Sequence, residues 1–266
     1  MKHHSTVDVA QAAGRCLCVR LLILSLPLFI GITEASGTPI VIDDFSAPVP
    51  AIPYAISLTA VDPLLIEFID PAVLGGERDL LVDVDGVPGP VSATGTVGEG
   101  SYLFGSAGAG VSATLQYDGI DLDIVGPPAQ LLNSEGLGGF DLINSTNTGI
   151  LLEFASIDGG AGTVLGVVIA AHGVSGTATY IGDIPENSGP STYWVPFAAF
   201  TVSGTFTFAE LTSLEFEFNP NSVRDVDFQL DAITAVPEPL AVVMLAVGAL
   251  AVLPRHCRRD RTATAT

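Results

Sequence analysis

Chemistry in this chain has to come from carboxylates, because little else is present to do it. Between Gly37 and Val236 there are 25 Asp and Glu residues, one histidine, His172, no lysine and no cysteine. A thiol nucleophile is excluded there, and so are disulfide staples. A serine mechanism would need His172, with Ser175 and Asp183 near in sequence, yet no Gly-x-Ser-x-Gly elbow accompanies them. Zinc is disfavoured by the histidine count. Two carboxylates could cleave a glycosidic bond, but nothing in the spacing selects a pair. The expectation is a protein that is not an enzyme.

The sharper use of these acids is as oxygen ligands for a hard cation. Asp43 and Asp44 open the body, and Asp227 and Asp231 close it. The last two stand four apart, so both lie on one side of a strand. Asp83-Val84-Asp85-Gly86 and Asp121-Leu122-Asp123 lack the full calcium loop and its terminal glutamate. No cofactor is expected beyond a structural calcium, with solvated, solubilising acids as the alternative. Trp194 is the candidate ligand-binding aromatic, able to stack on a sugar ring or to pack in a core. Tyr102, Tyr117, Tyr180 and Tyr193 are further candidate platforms. Arg78 and Arg224 are the only basic residues of this region. Either could pair with a local acid such as Glu77, Asp79 or Asp225, though an exposed pair contributes little. A buried bidentate ion pair inside the sandwich suits them better than substrate binding.

The elements that must hold these residues read as β-strands. Leu214-Glu215-Phe216-Glu217-Phe218 alternates apolar and acidic residues, as a strand with one dry and one wet face does. Thr205 to Phe208 and Asp227 to Asp231 do the same. Further strands are expected at Ile40 to Phe45, Leu64 to Ile69, Asp79 to Val84, Ala113 to Tyr117, Leu122 to Val125, Ile150 to Phe154, Val164 to Ala170 and Tyr193 to Phe197. Glycine and proline punctuate them, at Gly75-Gly76, Pro88-Gly89-Pro90, Gly138-Gly139 and Gly159-Gly160. No stretch of the body sustains a helical period. The expectation is an all-β chain: an antiparallel β-sandwich or jelly roll, one domain over 38–235. Its 266 residues carry a net charge of -20. Such an acidic surface repels nucleic acid, which is excluded as a partner.

Both ends read as addresses. Lys2, Arg15 and Arg20 precede an apolar stretch from Leu21 to Ile32, and Thr33-Glu34-Ala35 supplies small residues for a signal peptidase. Residues 1–35 are therefore expected to be a secretory signal, cleaved near Ala35 or retained as an anchor. Cys16 and Cys18 precede the apolar run and form no lipoprotein attachment site. At the other end, Val236-Pro237-Glu238-Pro239 leads into an apolar run from Leu240 to Leu253, then Arg255, Arg258, Arg259 and Arg261. A helix of that length spans about 21 Å, short of the roughly 30 Å hydrocarbon layer. The arginines place the tail end in the cytoplasm and the body outside.

That order of parts resembles the PEP-CTERM sorting signal over 236–261. The resemblance implies export, a transient membrane anchor through a short C-terminal helix, and processing by signal peptidase and an exosortase at the cell surface. A plain anchor is the alternative. The body's Val41-Ile42-Asp43-Asp44-Phe45, Gly75 to Leu80, Leu115 to Gly119, Leu137 to Leu142 and Trp194 to Phe200 resemble bodies of other PEP-CTERM proteins. More loosely, they resemble galactose-binding-like jelly rolls found as carbohydrate-binding modules, in which a structural calcium often joins first and last strands. The resemblance implies Asp43 and Asp44 on the first strand and Asp227 and Asp231 on the last as its ligands. The expectations are a non-catalytic cell-surface or extracellular-matrix protein or, alternatively, a module that binds exopolysaccharide.

Overall fold

A computed structural model describes residues 38–46, 54–58, 64–84, 92–98, 100–107, 110–120, 132, 135–144, 146–159 and 164–238. The expected secretory signal, the expected strand at Leu122 to Val125, Pro239, the apolar run from Leu240 and Arg255, Arg258 and Arg259 lie outside the described residues. Fourteen strands are formed among the described residues: β1 (Ile40–Asp43), β2 (Tyr54–Leu58), β3 (Leu64–Ile69), β4 (Glu77–Val84), β5 (Ser92–Gly98), β6 (Ser101–Ala107), β7 (Val111–Tyr117), β8 (Gly149–Asp158), β9 (Val164–Gly173), β10 (Gly176–Pro185), β11 (Ser191–Pro196), β12 (Thr201–Gly204), β13 (Leu211–Phe218) and β14 (Asp227–Val236). Short 3-10 turns occur at Leu74–Gly76 and Phe197–Ala199. No helix among the described residues is long and apolar enough to cross a membrane.

The strands form two seven-stranded sheets, antiparallel throughout. Sheet I runs β11-β8-β14-β6-β5-β2, with β1 also on β14; sheet II runs β12-β10-β9-β13-β7-β4-β3. The protein is an antiparallel β-sandwich. Alternation explains most of it. In β9 the residues Leu165, Val167, Ile169 and Ala171 are buried, and in β13 Leu214, Phe216 and Phe218 are. Each set faces the other sheet. Phe228 of β14 sits at the centre of the core. Its ring lies 4.9 Å from Phe218 of the opposite sheet, 5.1 Å from Phe104 and 5.7 Å from Tyr102. Burying one such side chain contributes roughly 1.5–3 kcal/mol.

Two irregularities decide which side chains face inward. β14 changes register on either side of Leu230, so buried Phe228 and Leu230 are followed by buried Ile233 and Ala235. The extra residue keeps both halves of a ten-residue strand facing the core. β1 shifts register between Val41 and Asp43, and both Ile42 and Asp43 are fully buried. That bulge turns an acidic side chain inward.

One expected strand is corrected. Thr205 to Phe208 forms a turn, not a strand. The chain reverses after Gly204, whose φ of +77° favours glycine and where a Cβ would lie 2.6 Å from Ser175 O. Thr205 N then bonds Ser175 O, and Glu210 N bonds Thr207 O. The alternating phenylalanines have another use: Phe208 stacks on Phe197 at 4.1 Å, and Phe206 meets Phe208 edge-on at 4.8 Å. An aromatic plug and a strand share the same short pattern.

Candidate functional site

Arg78, on β4 of sheet II, points into the space between the sheets. Its guanidinium grips Asp43, on β1 of sheet I, with both prongs: Nε to Oδ2 at 2.5 Å and Nη2 to Oδ1 at 2.6 Å. Tyr117 Oη donates to Oδ2 at 2.7 Å, and the Phe45 backbone N–H donates to Oδ1 at 2.7 Å. Asp70 Oδ2 stands 3.7 Å from Nη2, and the Phe45 ring lies 5.3 Å from the guanidinium carbon. Arg78 is 2% exposed and Asp43 0%. Burial works against the guanidinium charge, but Asp43 outweighs it and the pKa lies above its ordinary value. Burial, then the Asp43 charge, pushes the Tyr117 hydroxyl well up. The sequence reading of a buried bidentate pair holds for Arg78, with a partner 35 residues away, and fails for Arg224, which is exposed. Glu77 and Asp79 project from the other face of β4.

The four aspartates proposed for calcium are placed separately. β1 and β14 do pair, Ile40 opposite Ala235 and Asp43 opposite Ile233. Asp43, however, already accepts bonds at both oxygens, and a cation would have to displace Arg78. Asp44 Oδ1 accepts from the Ser46 backbone and hydroxyl. Asp227 Oδ1 accepts from Ser106 N at 3.2 Å, and Asp231 Oδ1 from Gln229 Nε2 at 3.2 Å. Among the described residues no group of three or more His, Cys, Asp or Glu is placed to hold a metal ion.

His172 lies on the outer face of sheet II, opposite Thr177 of β10 and Ser213 of β13. Its Nε2 is 3.3 Å from Glu215 Oε1, which also accepts from Gln116 Nε2 at 2.9 Å. The Glu215 contact raises the imidazole pKa, against the opposing effect of burial. Asp183 is opposite Gly166 at the far end of β10, so His172, Ser175 and Asp183 form no triad. A cleft of about 580 Å³ adjoins His172, lined also by Glu135, Thr177 and Thr212.

The aromatics divide by depth. Tyr102 and Tyr117 are fully buried and cannot be platforms. Tyr180 and Tyr193, on different sheets, share a hydroxyl–hydroxyl bond of 2.6 Å, and burial and that bond push the Tyr180 pKa up to about 12. Trp194 is half-buried at the edge of sheet I. Its indole Nε1 makes no hydrogen bond among the described residues and lies over Gly149, where a Cβ would be 2.5 Å away. Gly149 leaves the space into which the indole packs.

Sequence reading missed the cleft across the outer face of sheet I. The register sets Leu103, Gln229 and Ser156 in one row of β6, β14 and β8, and Gly105, Asp227 and Asp158 in the next. Glu186 and Ser188 close one side, and the volume is about 430 Å³. Exposed Leu103 supplies an apolar contact among carboxylates, an amide and hydroxyls. Asp227 alone stands out in the sequence; the others come together through pairing between distant strands.

No protein-family model matches the chain, and no curated protein matches it. Among solved structures, a family 11 carbohydrate-binding module from Clostridium thermocellum, in complex with a beta-1,3-1,4-mixed-linked tetrasaccharide, is 14% identical, over 77% of this chain and 98% of that one, with a TM-score of 0.38. The family 11 module of the cellulosomal cellulase Lic26A-Cel5E of Clostridium thermocellum is 13% identical, over 77% and 96%, with a TM-score of 0.37. The structure of PfGH50B is 10% identical, over 70% and 24%, with a TM-score of 0.33. Likenesses this distant carry no argument about what this chain binds.

Proposed function

We propose that the body is a non-catalytic glycan-binding β-sandwich of an exported protein, delivered to the cell surface or matrix through its PEP-CTERM tail. The observation that carries the binding reading is the open cleft on sheet I. Asp158, Asp227 and Glu186 accept hydrogen bonds from sugar hydroxyls, Gln229 both donates and accepts, and Leu103 meets an apolar sugar face. A body with 25 acids and two arginines selects for neutral or amino-sugar polymers and against anionic ones. Signal peptidase and exosortase are the processing partners in this reading, and the Arg78 centre serves the fold, not the ligand.

Affinity electrophoresis through gels containing neutral, cationic and anionic polysaccharides tests it. A neutral or cationic polymer should retard the protein, and Gln229→Ala combined with Asp158→Asn should abolish retardation at unchanged melting temperature. Retardation by none of them sinks the glycan reading. A second reading would then stand, a matrix protein without a sugar site. It is favoured by one observation: every aromatic ring whose burial is described is buried or half-buried.

A further inference from the structure

The chain enters and leaves sheet I at the same end. β1 runs antiparallel to β14 with Ile40 opposite Ala235, and Val236 stands opposite Gly149. Thr148 N donates to Val236 O at 2.9 Å, and Phe197 N to Thr148 O at 2.8 Å, so three segments are tied in a row there. The segments forming this end, 38–42, 146–151, 194–200 and 234–237, contain no Asp, Glu, Lys or Arg; the nearest acids are exposed Glu238 in the linker and Glu153 one row up the outer face. Val41 is 49% exposed, and Ala198 and Ala199 are exposed. Trp194, Leu151, Thr234 and Val41 form one row of the outer face. That row is two residues from Val236, about 7 Å. The opposite end of β14, at Asp227, is the acidic cleft.

Chain length limits how far this end can stand from what the tail enters. Four residue steps separate Val236 from Leu240, at most about 14 Å when fully extended. At Leu240 the fourteen-residue apolar run begins, and arginines follow it. The polar headgroup layer is roughly 5–7 Å deep on each side of the hydrocarbon. A folded strand joined so closely to an inserted segment is held within about 7–9 Å of the headgroup surface even with the linker fully extended. Acidic surface would be repelled by anionic headgroups, whereas an uncharged end with an indole and a phenyl ring suits the interface.

We infer that, while the tail is inserted, this uncharged end of sheet I seats on the lipid surface, with Trp194, Phe197 and Val41 at headgroup level. The inference rests on reading Leu240 to Leu253 as a membrane-inserting segment, which the proposed function shares. The seated body presents the Asp227 cleft away from the membrane, roughly 25–30 Å up the strand.

Trp194 is the sole tryptophan of the chain, which makes the seating directly readable. The full-length chain is reconstituted into phosphatidylcholine vesicles with or without brominated acyl chains, and flotation and tryptophan emission are measured on the same samples. The expected result is co-flotation, with emission in brominated vesicles reduced to roughly half or less, as for an interfacial indole. Ala198→Glu combined with Ala199→Glu should float equally and recover most of the emission. Flotation with unquenched Trp194, or quenching indifferent to the two glutamates, overturns the seating and leaves the tail reading intact. A chain that does not float overturns the tail reading and the seating with it.

Discussion

Arg78 and His172 each pair with a carboxylate from another strand, but the two pairs do different work. Arg78–Asp43 spans the two sheets, is almost wholly dry, and has Tyr117 and the Phe45 amide filling the remaining acceptor sites of the carboxylate. His172–Glu215 lies within one sheet, on its outer face, with both side chains a quarter exposed. Water and neighbouring acids can replace most of what the second pair provides. Nothing can replace either member of the first. Removing one partner of a buried pair strands the other, and that penalty exceeds the pair's own net worth.

The largest effect therefore belongs to Arg78→Met, which leaves Asp43 buried and uncompensated. It should destabilise by about 3–5 kcal/mol in urea unfolding. The double variant Asp43→Leu with Arg78→Met sharpens the point. It should recover much of that loss, because two charges no longer have to be desolvated. A double variant as unstable as the single one would mean that the pair stabilises the sandwich outright. Tyr117→Phe comes next. It deletes a donor to a charged acceptor but leaves the guanidinium in place, so about 1.5–3 kcal/mol is expected by the same measurement.

The difference also shows which features could be read from the chain alone. The second half of β13, Leu214 to Phe218, was legible because its burial follows a period of two. β5, β6 and β10 were not, because Ser-Ala-Thr-Gly, Phe-Gly-Ser-Ala and Gly-Thr-Ala-Thr carry little apolar contrast. Isolation in an acidic body suggested a buried bidentate pair for Arg78 and Arg224 alike, and only Arg78, on a core-facing position of β4, has one. That Asp43 would be its partner did not follow from isolation, since a one-residue bulge in β1 decides which way Asp43 points. The sheet I cleft is a product of register: Asp158, Gln229 and Leu103 are far apart in sequence and adjacent only when β8, β14 and β6 pair.

The smallest effect is the pH response of the outer face of sheet II, and its sign is fixed. His172 has a folded pKa above its unfolded value of about 6.5, owing first to Glu215. Its stabilisation is complete below pH ~6.5 and is lost as pH rises through the folded value. Glu217 is raised above 4.5 by burial, then by Glu215 and Asp83, so it favours the folded state most at low pH and loses that contribution as pH rises through its own folded value. The two steps share a sign but fall in different windows. Arg78 keeps its charge through both, its pKa being raised above its ordinary value. The charged groups facing His172 are Glu215 and, across the adjoining cleft, Glu135; Glu217 is two residues farther along β13. His172→Gln should abolish the upper step alone, a change under about 1 kcal/mol because the pair is partly solvated and screened. Thermal unfolding of both proteins from about pH 5 to 9 in low salt measures it. An upper step that persists in the variant would move the titration to another group, and the contrast between the wet pair and the dry one would lose its pH signature.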